Sequence, residues 1–207
     1  MSLTLYLIRH GTSFHNTHSL IGGCKLIYNL KEQGKQEAAL LGKSLSDQNI
    51  SFDEIYSSPV FRAKQTAQIA CSHIINSTTI IYDERLSDID TGEWKGKKRK
   101  KIYTKEQIQQ IYNNYWEFTF PKGNSRKIVS EHVIYWINEC LEKHQTETKT
   151  IAIFTHHMPI LCCLCSLLNL DPREVRQWKF SHASATIINF DGTNWKLIEQ
   201  NKKFFIL

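Results

Sequence analysis

Leu3–Arg9 (LTLYLIR) runs directly into His10 and Gly11, and the reading of this stretch decides the fold. A short apolar run that stops at turn chemistry is the pattern of a buried strand of the parallel type, with its polar end leaving the sheet. Thr150–Thr155 (TIAIFT) repeats the pattern ahead of His156 and His157. Further strands are predicted at Asp53–Ser57, Thr79–Tyr82, Ala185–Phe190 and Trp195–Glu199, the last two joined by the hairpin signal Asp191-Gly192. Between them, Leu30–Leu45 places Ala38, Leu41 and Leu45 on one helical face, and Ser125–Lys143 does the same with Val129, Val133, Trp136, Ile137, Cys140 and Leu141. Ser58 followed by Pro59 reads as an N-cap with proline at the first helical position, opening a helix to about His73. Strands alternating with helices predict an α/β fold: a three-layer sandwich whose mainly parallel sheet is flanked by helices, with reactive groups at the carboxyl ends of the strands.

One stretch breaks the alternation. Residues 92–124 are polar, aromatic and basic, with an amphipathic helix predicted from about Lys98 to Phe118 and Pro121 and Gly123 after it. The segment reads as a helical insertion covering the site, within a single domain of residues 1–207. A chain of 207 residues with 41% hydrophobic and 22% charged residues has material for one sizeable core. Its longest apolar candidate, Met158–Leu170, is interrupted by Ser166 and Asn169 and falls short of the roughly 18 residues of a membrane span. No basic region precedes Leu3–Ile8, so no secretory signal is read, and Cys71, Cys162, Cys163 and Cys165 sit in apolar surroundings typical of reduced thiols. A cytoplasmic location follows from these two readings.

The formal net charge of +6 favours anionic ligands without naming them. Six of the seven residues in Lys95–Lys101 are basic, and they read as a solvated loop or helix start, with attraction of a polyanionic substrate or nucleic acid as the alternative. No nucleic-acid fold signature accompanies the run, so neither nucleic acid nor membrane is expected as a partner. Tyr112, Tyr115, Trp116, Phe118 and Phe120 read as packing of the insertion on the sheet, with base stacking or the lining of a leaving-group pocket as the alternative, and Cys162-x-x-Cys165 reads as buried thiols in an apolar helix rather than a redox or zinc site. The sequence sets no oligomeric state.

Several polar residues sit where strands end. His10 follows the first strand beside Arg9, in a turn that Gly11 is expected to permit through unusual backbone angles. His156 ends another apolar strand after Thr155, Arg62 follows Tyr56-Ser57-Ser58-Pro59, and Asn16 lies six residues after His10. Imidazoles and guanidinium forks of this kind suit a phosphoryl group in transfer, whose charge spreads over its equatorial oxygens.

Five blocks in order, LYLIRHGTSFHN, NLKEQGKQEAALLGKSL, YSSPVFRAKQTA, DERLSDIDTGEWKG and IFTHHMPI, make the chain resemble the histidine phosphatase superfamily, also called phosphoglycerate mutase-like, over nearly its whole length. The resemblance implies His10 as phosphorylated nucleophile, with Arg9, Arg62, His156 and Asn16 holding the phosphoryl group. It implies no metal or other cofactor. The family's proton donor is usually a Glu two residues after the Leu of the middle block, a place taken here by Asp88, with Glu84, Asp90 and Glu93 as neighbouring alternatives. Other departures are Thr12 and Ser13 after Arg-His-Gly, His157 and Met158 after the second His, and Asn124 in a Gly-Glu-Ser place.

Beside Gly11, His157 is assigned to substrate binding, and Ile27, Tyr28, Trp116 and Phe118 to a leaving-group wall. His15, His18, His73, His132, His144 and His182 are read as surface or packing residues, with His182 the first exception to look for because it precedes a strand edge. The expected activity is hydrolysis of a small phosphomonoester through phospho-His10, as in the short phosphatase branch of the family. Its rivals are mutase-type phosphoryl transfer and a non-catalytic phosphate- or protein-binding member.

Overall fold

A computed structural model describes residues 1–24, 28–74, 78–175 and 177–205. Six strands form one sheet: β1 Ser2–Arg9, β2 Glu54–Ser57, β3 Ile80–Tyr82, β4 Thr148–Thr155, β5 Ala185–Phe190 and β6 Trp195–Lys202, in the order β3-β2-β4-β1-β5-β6. The β3-β2-β4-β1 half is parallel, and β5 and β6 add antiparallel strands at one edge. The helices are α1 Phe14–Thr17, α2 Glu32–Asp47, α3 Phe61–Cys71, α4 Arg99–Ile102, α5 Lys105–Asn113, α6 Arg126–Lys143, α7 His157–Leu167 and α8 Pro172–Val175.

The continuous apolar runs in β1 and β4 follow from burial on both sides of the sheet. Successive side chains point to opposite faces. Leu3, Leu5 and Leu7 of β1, with Ile151 and Ile153 of β4, join Val133, Trp136 and Ile137 of α6 and Ile160, Leu161 and Leu164 of α7 in one buried cluster. Ile8, Ala152 and Phe154 point the other way and join Leu41 and Leu45 of α2 and Ala67 and Ala70 of α3. A third cluster, Ile21, Ile89, Trp94, Phe120, Val129 and Cys162, ties the segment after β3 to α6 and α7. The three-layer α/β architecture is therefore as the alternation of segments implied.

Local details differ from the sequence reading. The helix expected to open at Ser58-Pro59 starts at Phe61 with Val60 at its N-cap, and the Ser58 hydroxyl, while accepting from the Val60 amide at 3.2 Å, also turns toward the site. The single helix expected over Lys98–Phe118 is two short helices, because the Thr104 hydroxyl caps the Gln107 amide and starts α5 afresh after the chain turns at Tyr103. The Asp191-Gly192 hairpin closes as a longer turn. Asp191 Oδ1 accepts from the amides of Thr193 and Asn194, and Gly192 takes φ +98°.

Among the described residues no helix is long and apolar enough to cross a membrane. Cys71, Cys140, Cys162, Cys163 and Cys165 are buried, and burial pushes the thiols up, to about 12 for Cys71 and Cys140 and to about 11 for Cys165. A thiol held protonated is a poor nucleophile, so the Cys162-x-x-Cys165 pair acts as core.

Candidate active site

The functional side chains stand where the parallel strands end. His10 follows β1, Ser58 and Arg62 follow β2, Asp88 lies on the segment after β3, and His156 follows β4 as the N-cap residue of α7. Because β1 and β4 pair in register from Ser2↔Thr148 to Arg9↔Thr155, His10 and His156 leave the sheet side by side, with ring centroids 5.2 Å apart. Both imidazoles are buried.

Two one-way partners define the state of His10. The Gly11 carbonyl can only accept, so Nδ1 carries the proton and donates to it at 2.7 Å. Arg62 Nε can only donate and reaches Nε2 at 3.1 Å, so Nε2 presents a lone pair. Desolvation, then the nearby Arg62, His156 and Arg9 charges, hold His10 well below the usual imidazole range, which keeps the ring neutral.

Arg62 is fully buried and is the hub of the cluster. Its Nη2 donates to Asp88 Oδ2 at 2.7 Å and its Nη1 to the Gly23 carbonyl at 3.3 Å. Asp88 also accepts the Ile89 amide at 3.0 Å and lies 3.9 Å from His156 Nδ1. His156 Nε2 is bonded to Ser58 Oγ at 3.0 Å, while Nδ1 has no protein partner, and neither has Arg9 Nε. Each such buried polar atom costs about 1–3 kcal/mol unless a ligand or water meets it.

A cavity of about 460 Å³ opens beside this cluster; Arg62, His156 and Ser58 lie behind its wall and do not line it. Arg9, His10, Asn16, Asp88 and His157 all line it. Of the alternatives to Asp88, Glu84 accepts from Ser87, Asp90 caps the Gly92 amide and Glu93 pairs with Lys122; none lines the cavity. Asp88 is the one acidic side chain on the wall among the described residues, against Arg9, Arg99 and Arg126.

Gly11 serves differently from the expectation. Its φ is not positive; instead an added Cβ would lie 2.5 Å from the Gly34 carbonyl oxygen, so close approach of the β1 exit to α2 requires glycine. Its amide donates to Thr66 Oγ1 at 3.0 Å and its carbonyl fixes His10. Gly11 thus orients the nucleophile candidate and does not line the cavity. Asn16 lines it while its Oδ1 accepts from the Ser13 amide and hydroxyl. The departures at 12 and 124 are structurally employed: Thr12 directs its amide and hydroxyl at buried Glu37, and Asn124 Oδ1 accepts the Asp90 amide.

Two expectations about the periphery need correction. His15, read as a surface or packing residue, is buried on the cavity wall, 6.0 Å from the His10 ring. Trp116 and Phe118, assigned to a leaving-group wall, pack into the apolar clusters, and the cavity is lined instead by Tyr103, Tyr112, Tyr115, Ile108 and Ile111. Tyr28 stacks on His15, and Ile27 lies outside the described residues. His182, the exception singled out, has its ring centroid 5.7 Å from that of His10. Arg99 belonged to a basic run read as solvated, yet its Nε donates to the Leu20 carbonyl and its side chain reaches the cavity. Arg126 carried no motif at all; its one sequence signal is a cation in the first turn of a helix with no acid beside it.

The neutral imidazoles have a consequence for stability. Burial lowers His157 to about 4 and His15 and His182 to about 3, whereas unfolded histidines titrate near 6.5. Below about pH 6.5 the unfolded chain binds protons that the folded chain refuses, so stability is complete above that pH and declines as pH falls toward 4. Thermal melting in phosphate-free buffers should show Tm level at pH 7–8 and falling between about pH 6.5 and 4. A Tm unchanged over the acidic range would contradict burial of neutral rings.

The comparisons with known proteins agree with this geometry. Residues 5–203 match the model of the histidine phosphatase superfamily (branch 1). The chain is 29% identical over 195 residues to a 2,3-bisphosphoglycerate-dependent phosphoglycerate mutase of Bartonella henselae, covering 93% of this chain and 94% of that one. It is 28% identical over 200 residues to phosphoserine phosphatase 1 of Hydrogenobacter thermophilus, covering 95% and 91%. Among solved structures, Bacillus stearothermophilus YhfR superposes with a TM-score of 0.79 at 27% identity over 96% of each chain. With its sheet order, its two strand-end histidines and a family match over nearly its whole length, the chain belongs to the histidine phosphatase superfamily.

Proposed function

We propose that the protein is a phosphatase that hydrolyses a small phosphomonoester through a phosphohistidine at His10, with Asp88 as proton donor and no metal required. Membership of the superfamily, with phosphatase and mutase relatives, supports phosphoryl-transfer chemistry in general. The observation that carries the finer reading is His10 Nε2, an unprotonated nitrogen set between Arg62 and the cavity by the Gly11 hydrogen bond.

In the first step the Nε2 lone pair attacks phosphorus in line, the P–N bond forms, and the bond from phosphorus to the leaving oxygen breaks. Arg9, Arg62 and His156 meet the equatorial oxygens, which gives Arg9 Nε and His156 Nδ1 the partners the protein does not supply. As Arg62 turns to those oxygens it releases Asp88 from its ion pair; the freed carboxylate takes the proton of the phosphomonoester monoanion and gives it to the leaving alkoxide. Water then attacks phosphorus, its proton passes to the Asp88 carboxylate, the P–N bond breaks, and inorganic phosphate leaves. Mutase-type chemistry differs only in the acceptor of the phosphoryl group, and the mutase relative is the observation in its favour.

On this reading the partner is a small phosphorylated molecule, with neither membrane nor nucleic acid involved, and residues 92–124 serve as a cover that selects the leaving group. Buried thiols with raised pKa fit a reducing, cytoplasmic setting.

The assignment of Asp88 is tested with two leaving groups in excess chelator. Asp88→Asn is expected to slow glycerol 3-phosphate, whose alkoxide needs a proton, by about 10²–10⁴-fold. p-Nitrophenyl phosphate, whose leaving group does not, should slow by less than about tenfold. Equal slowing of both would give Asp88 another role.

A further inference from the structure

The cavity holds a cation that the phosphohistidine mechanism does not use. Arg126 is the first residue of α6, is only 7% exposed, and lines the cavity wall. Its Nη1 donates to the Tyr115 carbonyl at 2.8 Å, and its guanidinium carbon lies 4.0 Å from the Tyr115 ring centroid. Nε has no partner, and among the described residues no carboxylate pairs with this guanidinium. The first turn of α6 contains no acid, so a positive charge sits at the positive end of the helix dipole.

The unpartnered Nε, the missing carboxylate and the placement at the helix N-terminus are each unfavourable for a residue that merely packs. A buried, unpaired cation at the wrong end of a helix is tolerated where an anion arrives to compensate it. Tyr115 holds the fork in place from both its carbonyl and its ring, so little side-chain freedom is lost when a ligand binds.

Resting on the phosphatase reading above, we propose that Arg126 is a specificity-determining anion anchor: the substrate carries, on its leaving-group side, a second anionic group, carboxylate or phosphate, that this guanidinium receives.

The test is calorimetric binding to the His10→Ala protein, so that it does not depend on turnover. Two matched pairs are compared: 3-phosphoglycerate with glycerol 3-phosphate, which differ only by carboxylate against hydroxymethyl, and fructose 1,6-bisphosphate with fructose 1-phosphate. In at least one pair the more anionic member should bind about 10- to 100-fold more tightly, and the pair that shows it identifies the group as carboxylate or phosphate. Adding Arg126→Gln should bring that ratio to within about threefold of unity, and Arg126→Lys should leave part of it, since a point charge replaces a fork.

No preference within either pair, or a ratio unchanged by Arg126→Gln, overturns the proposal. Should melting show that Arg126→Gln does not fold, Arg126→Lys decides: a ratio undiminished there overturns it equally. The phosphatase reading is judged separately, by hydrolysis of p-nitrophenyl phosphate by the unsubstituted protein.

Discussion

The His10→Ala protein is expected to release phosphate from p-nitrophenyl phosphate at least about 10³-fold more slowly than the unsubstituted protein in excess chelator, and to form no phosphoenzyme. The size of the effect follows from covalent catalysis. Without Nε2 the reaction reverts to direct attack by water, helped only by the cations that hold the phosphoryl group. The control is built into the site, because other imidazoles stand close by: the His156 ring is 5.2 Å from that of His10, and its Nδ1 is unpartnered. A phosphoenzyme that survives in His10→Ala would move the nucleophile to one of these rings. Phosphate release at a near-normal rate would remove the phosphohistidine mechanism altogether. Because Arg62 Nε loses its acceptor in this variant, a melting curve should accompany the assay to show the fold intact.

The second large effect is expected at Arg62. Arg62→Ala should lower kcat/KM by about 10²–10⁴-fold, since on the proposed mechanism this fully buried guanidinium, bonded to His10 Nε2, also receives the phosphoryl oxygens. It should also cost about 3 kcal/mol of folding stability, because Asp88 is left without the cation that answers it. Arg62→Lys should recover the stability better than the rate. An ammonium can pair with Asp88 but cannot at the same time donate to His10 from a planar fork. Urea unfolding alongside steady-state kinetics separates the two, and a loss of activity below tenfold in Arg62→Ala would sink the assignment.

Much of this site was legible because its residues sit at strand ends. An apolar run such as Leu3–Ile8 has one place to go, and the polar residue after it has one direction to face, so His10 and His156 could be placed from pattern alone. The blocks around Arg62 and Asp88 were legible by resemblance, and the structure brings Arg62 against His10 and Asp88 against Arg62.

What escaped notice depends on contacts far apart in sequence. His15 looked like any other histidine near a surface, and only the fold of residues 13–24 and the stacking of Tyr28 on it make it part of the wall. Ser58 matched a helix cap so well that its bond to a histidine 98 residues later could not be read. Thr104 is a strong cap in the middle of an amphipathic pattern, and periodicity alone ran through it. Arg126 was hidden because a cation at a helix start reads as solvated until its burial is known.

The pairing of β1 with β4 also governs when this site can come into existence. The strand that delivers His10 is synthesised before both of its neighbours: its parallel partner begins at Thr148, and β5, on its other side, only at Ala185. Until those strands emerge, β1 lacks both of its partners and His10 lacks the His156 ring beside it. A nascent or truncated chain that ends before residue 148 therefore cannot bring His156 to His10, however complete its earlier helices. Such a topology, rich in contacts between distant segments, folds more slowly than one built from local contacts, and the two strand-end imidazoles meet only after β4 has been made.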